Sequence, residues 1–185
     1  MMKETLDPTK AGLLVVDVQE KLFPLVEHPC EMLEHLQKLI KGCKIFELPT
    51  IISEQYPKGL GSTIGAVKEL AGEEAIVHEK TTFACSKDTI LKDAIHATKR
   101  KQWIVAGIEA HVCILQTVRS LMEEGLQVFV AIDAISSRAS YDCSVAISEM
   151  RDLGARISTS ETLLFEMMGD SKKPQFRALS ALIKS

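Results

Sequence analysis

Six short apolar runs, separated for the most part by longer stretches with apolar residues at three- and four-residue spacing, constrain this chain more than any other feature. The runs are GLLVVDV (Gly12 to Val18), PTIIS (Pro49 to Ser53), EAIVHE (Glu74 to Glu79), QWIVAGI (Gln102 to Ile108), QVFVAI (Gln127 to Ile132) and ARIST (Ala155 to Thr159). Their apolar residues are consecutive, the pattern of strands covered on both faces in a parallel sheet. Parallel neighbours need crossover connections, and the helical patterns between the runs supply them. Examples are EMLEHLQKLIKGCKIFE (Glu31 to Glu47), SKDTILKDAIHATK with Ser86 as its expected cap, and ILQTVRSLMEEG, ended by Gly125. The expected fold is α/β: three layers, α/β/α, around a six-stranded parallel sheet in the order 3-2-1-4-5-6.

A chain of 185 residues and 20.4 kDa suits one domain with a single sizeable core, so residues 1–185 are expected to form one unit. No internal repeat, linker or low-complexity tract divides it. The C-terminal DSKKPQFRALSALIKS reads as a loop broken at Pro174 and then a short helix that covers the sheet or a partner.

Composition narrows the function classes. Hydrophobic residues make up 46% and charged residues 25%, and the net charge of -3 is spread without a basic stripe for phosphate or anionic lipid. Neither nucleic acid nor a membrane is an expected partner. MMKETLDPTKAG lacks the apolar core of a signal peptide, so a cytoplasmic location is expected. The five cysteines, Cys30, Cys43, Cys85, Cys113 and Cys143, are odd in number and scattered without a CxxC pair. Reduced thiols follow from that.

Open sheets of this kind hold their sites at the carboxyl ends of the strands, near the point where strand order reverses. Asp17 ends the first strand, Ser53 to Tyr56 follow the second, Lys80 the third, and Cys113 the fourth. In the order 3-2-1-4-5-6 the first and fourth strands are neighbours, so Asp17 and Cys113 face each other, with Lys80 in reach. A thiol at a helix start beside an ammonium favours thiolate, and a nearby carboxylate can accept the proton. These are parts for nucleophilic catalysis.

Three segments resemble the isochorismatase-like cysteine hydrolases, a superfamily that includes nicotinamidases and N-carbamoylsarcosine amidases. LLVVDVQEKLFP carries the D-x-Q pattern with its Asp at Asp17, HEKTTFACS places the Lys at Lys80, and VAGIEAHVCILQT places the nucleophile at Cys113. DAISSR, after the fifth strand, is also similar. The resemblance implies a catalytic set of Asp17, Lys80 and Cys113, a thioester on Cys113, and an oxyanion hole of backbone N–H groups at Glu109 and Cys113. It also implies a cis peptide bond between Ile108 and Glu109, with Gly107 giving the backbone its freedom there. A small-molecule substrate, no cofactor and a homo-oligomer are implied as well.

Departures from the family sharpen the expectation. Nicotinamidase-like members carry a D-x-H metal-ligand pattern after the second strand, where this chain has ISEQYPKGLG, so no metal is expected. Isochorismatases proper cleave a vinyl ether and characteristically lack the cysteine. Cys113 therefore favours amide, ureido or related acyl chemistry, with a vinyl-ether hydrolase and a catalytically quiet binding module as alternatives.

The remaining residues sort more simply. Asp17 read alone is a helix cap and Lys80 a solvated strand end; only their conjunction with Cys113 gives them chemistry. Cys30, Cys43, Cys85 and Cys143 are expected to be inert. Glu109, His111 and Cys113, spaced by two, do not converge on one helical face as metal ligands would. His111, Gln19, Phe23, Gln55, Tyr56 and Phe83 are the expected pocket lining.

Overall fold

The computed structural model describes residues 5–184; the first four residues, included in the reading of the N-terminus, and Ser185 lie outside the described set. In chain order the elements are β1 (Ala11–Val16), α1 (Pro29–Ile45), β2 (Thr50–Gln55), α2 (Pro57–Leu60), α3 (Gly65–Ala71), β3 (Ile76–Lys80) and α4 (Thr89–Ala97). There follow β4 (Gln102–Ile108), α5 (Leu115–Glu123), β5 (Gln127–Ser136), α6 (Ser140–Asp152), β6 (Arg156–Ser158), α7 (Ser160–Met168) and α8 (Phe176–Ile183). A π-helical turn at Ala110–Ile114 leads into α5.

The six strands form one sheet in the order β3-β2-β1-β4-β5-β6, and every pairing is parallel. The topology is the expected one. β1 shows why its residues are apolar without alternation: Leu13 and Val15 join a core layer with Leu36 and Ile40 of α1 and Leu164 of α7. Leu14 and Val16 face the opposite layer, with Leu91 and Ile95 of α4 and Val118 of α5. All four strand residues are fully buried. At about 25 cal/mol per Å² of apolar surface, burial on both faces is what holds a central strand in place.

Element ends differ from the periodicity where local chemistry intervenes. α1 begins two residues early, because Pro29 stands in its first turn, where a missing N–H costs nothing. β5 runs on to Ser136, with a register irregularity against β4 between Val105 and Gly107. The cap of α4 is Asp88, not Ser86: Asp88 Oδ1 accepts from the N–H groups of Ile90 (3.0 Å) and Leu91 (3.1 Å). Ser86 is turned inward and shares a hydrogen bond with Ser120 of α5. The C-terminal α8 packs on α1 and α7, with the buried Leu179 in the core layer on that side of the sheet.

Candidate active site

The parallel register assembles the site. Val16, the last residue of β1, pairs with Ser53 of β2, so Asp17 emerges beside Ser53; Gln55 pairs with Lys80, the last residue of β3. Asp17 has φ 53°, a left-handed conformation that Asp tolerates better than most residues. Its N–H donates to the Ser53 carbonyl at 3.1 Å.

Asp17 and Lys80 form a fully enclosed ion pair: Lys80 Nζ lies 2.7 Å from Asp17 Oδ2, and both side chains have zero exposure. The other carboxylate oxygen, Oδ1, accepts from Ser53 Oγ at 2.7 Å. Lys80 Nζ also donates to Gln55 Oε1 at 2.6 Å. An unpaired charge at this depth would be strongly unfavourable, and here each charge has two partners.

Cys113 enters from the other side of the switch point. The chain leaves β4 through Gly107, whose φ is +118° and whose absent Cβ would stand 2.1 Å from the Val16 carbonyl oxygen. The next peptide bond but one in the turn, Ile108–Glu109, is cis. Ile114 N–H then donates back to the Glu109 carbonyl at 3.1 Å, five residues earlier, which opens the π turn that carries Cys113. The Cys113 thiol lies within the fields of both the Asp17 carboxylate and the Lys80 ammonium. It is 6% exposed.

The electrostatics differ from the expectation of a resting thiolate. Burial pushes the Cys113 thiol up, the Asp17 carboxylate pushes it further, and Lys80 offsets only part of this. The stored form is the thiol. Burial opposes the charge on Lys80 too, but the Asp17 carboxylate, followed by the Cys85 and Cys113 sulfurs, outweighs it and holds the ammonium above the ordinary lysine range. The arrangement sets a carboxylate near a protonated thiol, so it has a group that can take up the thiol proton and does not keep the sulfur ionised beforehand.

Two groups that sequence reasoning passed over belong to this cluster. Ser53 appeared only within a span after the second strand; the signal was its place in alternation with Gln55, since residues two apart share a strand face. Cys85 is fully buried, interacts with Ser53 and lies in the field of Lys80 and Asp17. Its N–H donates to Thr117 Oγ1 at 3.0 Å, one turn beyond Cys113, and so docks the segment after β3 onto α5.

The other expected lining residues are placed as follows. Gln19 is fully buried: its Oε1 accepts from the Gln55 N–H at 2.7 Å, and its Nε2 donates to the carbonyls of Gln55 (3.0 Å) and Gly61 (2.7 Å). Gln55 itself touches Lys80. Phe23 packs partly buried against the core, whereas Tyr56 and Phe83 are more than half exposed. His111 Nδ1 pairs with Ser137 Oγ at 2.9 Å, and Glu109 with Arg138 Nε at 2.7 Å, so DAISSR braces the turn that carries Cys113. Asp133 of that segment accepts from both the N–H (2.8 Å) and the hydroxyl (2.9 Å) of Ser160 and holds the start of α7.

Among the described residues, no group of three or more His, Cys, Asp or Glu side chains could hold a metal ion. No helix among them is long and apolar enough to cross a membrane. A cleft of about 270 Å³ at the starts of α1 and α6 is lined by Glu31, His35, Asp133 and Cys143 among others, but by no member of the Asp17, Lys80 and Cys113 group.

An open parallel sheet with an enclosed carboxylate–ammonium pair against a thiol at its switch point defines an α/β protein with a thiol site. Residues 11–162 match the isochorismatase domain model, and the chain belongs to the isochorismatase family. It is 36% identical over 177 residues to human isochorismatase domain-containing protein 2, covering 96% of this chain and 84% of that one. Its fold is similar to the MAR1 ribonuclease of Caenorhabditis elegans, with TM-score 0.92, 37% identity, and 98% and 93% of the two chains covered. It is also similar to the YcaC gene product of Escherichia coli, described as an octameric hydrolase of unknown specificity, with TM-score 0.88, 25% identity, and 100% and 98% covered.

Proposed function

We propose that this chain is a metal-independent cysteine hydrolase of a small amide, ureide or related acyl compound. The observation that carries the reading is the enclosed Asp17–Lys80 pair, both of whose charges act on the Cys113 thiol. As the Cys113 sulfur attacks the substrate carbonyl carbon, its proton passes to Asp17, and the carbonyl π electrons move to oxygen. The N–H groups of Glu109 and Cys113 receive that oxyanion. Collapse breaks the carbon–nitrogen bond, Asp17 returns its proton to the departing amine, and a thioester remains. Water then attacks the thioester, Asp17 takes the proton from that water, and the sulfur leaves and recovers it as thiol. Lys80 stays charged throughout and keeps the carboxylate oriented.

A second reading comes from the C. elegans relative, which bears the name of a ribonuclease. Cleaving RNA needs cationic contacts along a phosphate backbone. This chain carries a net charge of -3, its site lysine is enclosed, and Arg138 at the rim is engaged by Glu109. Acyl chemistry suits those features better. Self-association into a homo-oligomer is part of the proposal, supported by the octameric E. coli relative.

A screen of small amides and ureides by ammonia release tests the chemistry, run with wild type, Cys113→Ala and an RNA oligonucleotide in parallel. Release by wild type and none by Cys113→Ala is the expected result. Turnover that survives Cys113→Ala, or RNA cleavage without any ammonia release, overturns it.

A further inference from the structure

The second strand presents two neutral side chains to the ion pair, and they divide the work. Ser53 binds the carboxylate and Gln55 binds the ammonium, from alternate positions on one face of β2. Gln55 is held with unusual completeness for a surface-edge residue. Its backbone is bracketed on both sides by the Gln19 amide, which is anchored to Gly61. Its side-chain Nε2 donates to the Thr81 carbonyl at 2.9 Å. The amide has one workable orientation, because an ammonium can be met only by an acceptor and a carbonyl only by a donor. Its oxygen therefore faces Lys80.

We propose that Gln55 is a positioning residue for Lys80: by accepting one of its N–H groups it fixes the ammonium against Asp17, where its field reaches Cys113, and supports its charge against burial. The inference rests on Cys113 being the nucleophile of the proposed reaction. The titratable groups that face Lys80 are Asp17 after β1, Cys85 in the turn before α4, and Cys113 in the turn before α5. Asp17 supplies charge, while Gln55 supplies direction and a second acceptor without adding a charge. A carboxylate in its place would compete with Asp17 for the ammonium. An apolar side chain would leave one N–H of a buried cation unmet.

The test uses ¹⁵N-labelled lysine in the full chain, with the Lys80 side-chain resonance assigned by its loss in Lys80→Met. In wild type the ammonium should persist above the ordinary lysine range. In Gln55→Met its midpoint should fall by about one pH unit or more, the effect of removing one hydrogen bond to a charge. Alkylation of Cys113 by iodoacetamide near pH 9.5, where Lys80 is charged in both proteins, should slow about threefold or more in the same variant because the ammonium is no longer held in place to stabilise the thiolate, while that of the exposed Cys30 stays unchanged. Mere loosening would speed Cys113 alkylation, the opposite sign. Gln55→Glu keeps an acceptor and should hold the midpoint at or above wild type, which covers the case in which Gln55→Met does not fold.

A midpoint that stays put in Gln55→Met, one that falls in Gln55→Glu, or a fall without slower alkylation each overturns the proposal. A screen that finds no amide hydrolysis, with the lysine midpoint and alkylation behaving as stated, would sink the hydrolase reading and not this one.

Discussion

Ser53 donates its hydroxyl to Asp17 Oδ1 at 2.7 Å, on the opposite oxygen from Lys80, so the carboxylate is gripped at both ends by groups from two different strands. Removing the hydroxyl leaves a buried carboxylate oxygen without one of its donors. Ser53→Ala should cost about 1–3 kcal/mol of stability, read by urea denaturation, and should reduce turnover about tenfold or more as Asp17 loses its fixed orientation. Ser53→Thr restores the donor and should restore most of both. Equal losses in the two variants would show that the space around Ser53 matters and its hydroxyl does not.

The ion pair itself makes a sharper stability prediction. Because both side chains are fully enclosed, Lys80→Met strands a buried carboxylate and should destabilise the fold by about 3–5 kcal/mol. Adding Asp17→Asn to Lys80→Met removes the stranded charge, so the double variant should be more stable than Lys80→Met alone. A double-mutant cycle by chemical denaturation measures this coupling. Additive losses would mean that water or another cation compensates Asp17 in the single variant.

At the start of the turn carrying Cys113, Gly107 has no room for a side chain. A Cβ there would stand 2.1 Å from the Val16 carbonyl and 2.7 Å from its nitrogen, both backbone atoms of the central strand, at a φ of +118°. Gly107→Ala should therefore prevent accumulation of folded protein or lower stability by more than about 3 kcal/mol. Circular dichroism of the purified variant is the check, and a melting curve within a few degrees of wild type would contradict it.

How much of this was readable beforehand follows from which interactions are local in pattern. The sheet order was legible because β1, β4 and β5 carry unbroken apolar runs that make sense only between two helical layers. Asp17, Lys80 and Cys113 were legible because topology brings strand ends to one edge whatever the details. Ser53 and Gln55 were harder: a Ser and a Gln near a strand end suit solvent equally well, and only the register against Val16 and Lys80 shows what they bind. The thiol's protonation was misjudged for a similar reason. Charge signs can be read from sequence, but the burial that dominates Cys113 depends on how closely the turn packs on β1.

That burial extends to a pH dependence of the whole fold. Burial raises the thiols of Cys43, Cys85 and Cys113 above the ordinary cysteine value, with Asp17 adding to it for Cys85 and Cys113. In the unfolded chain these thiols ionise near pH 9, while in the folded chain they remain protonated well beyond it. Between those limits the folded state binds more protons than the unfolded one, so stability falls as pH rises. The stabilisation is fully present below about pH 8.5 and should be lost above it at up to about 1.4 kcal/mol per pH unit for each thiol. Lys80, also raised, adds a loss of the same sign once the pH passes the ordinary lysine range. Urea denaturation at pH 7.5, 9 and 10 in the presence of reductant measures the slope. Cys43→Ala should be less stable than wild type at pH 7.5, because it opens a cavity in the core beside α1, yet its slope above pH 9 should be shallower by one thiol's share. A slope unchanged by Cys43→Ala would mean that the folded chain ionises this sulfur as readily as the unfolded one, against its complete burial.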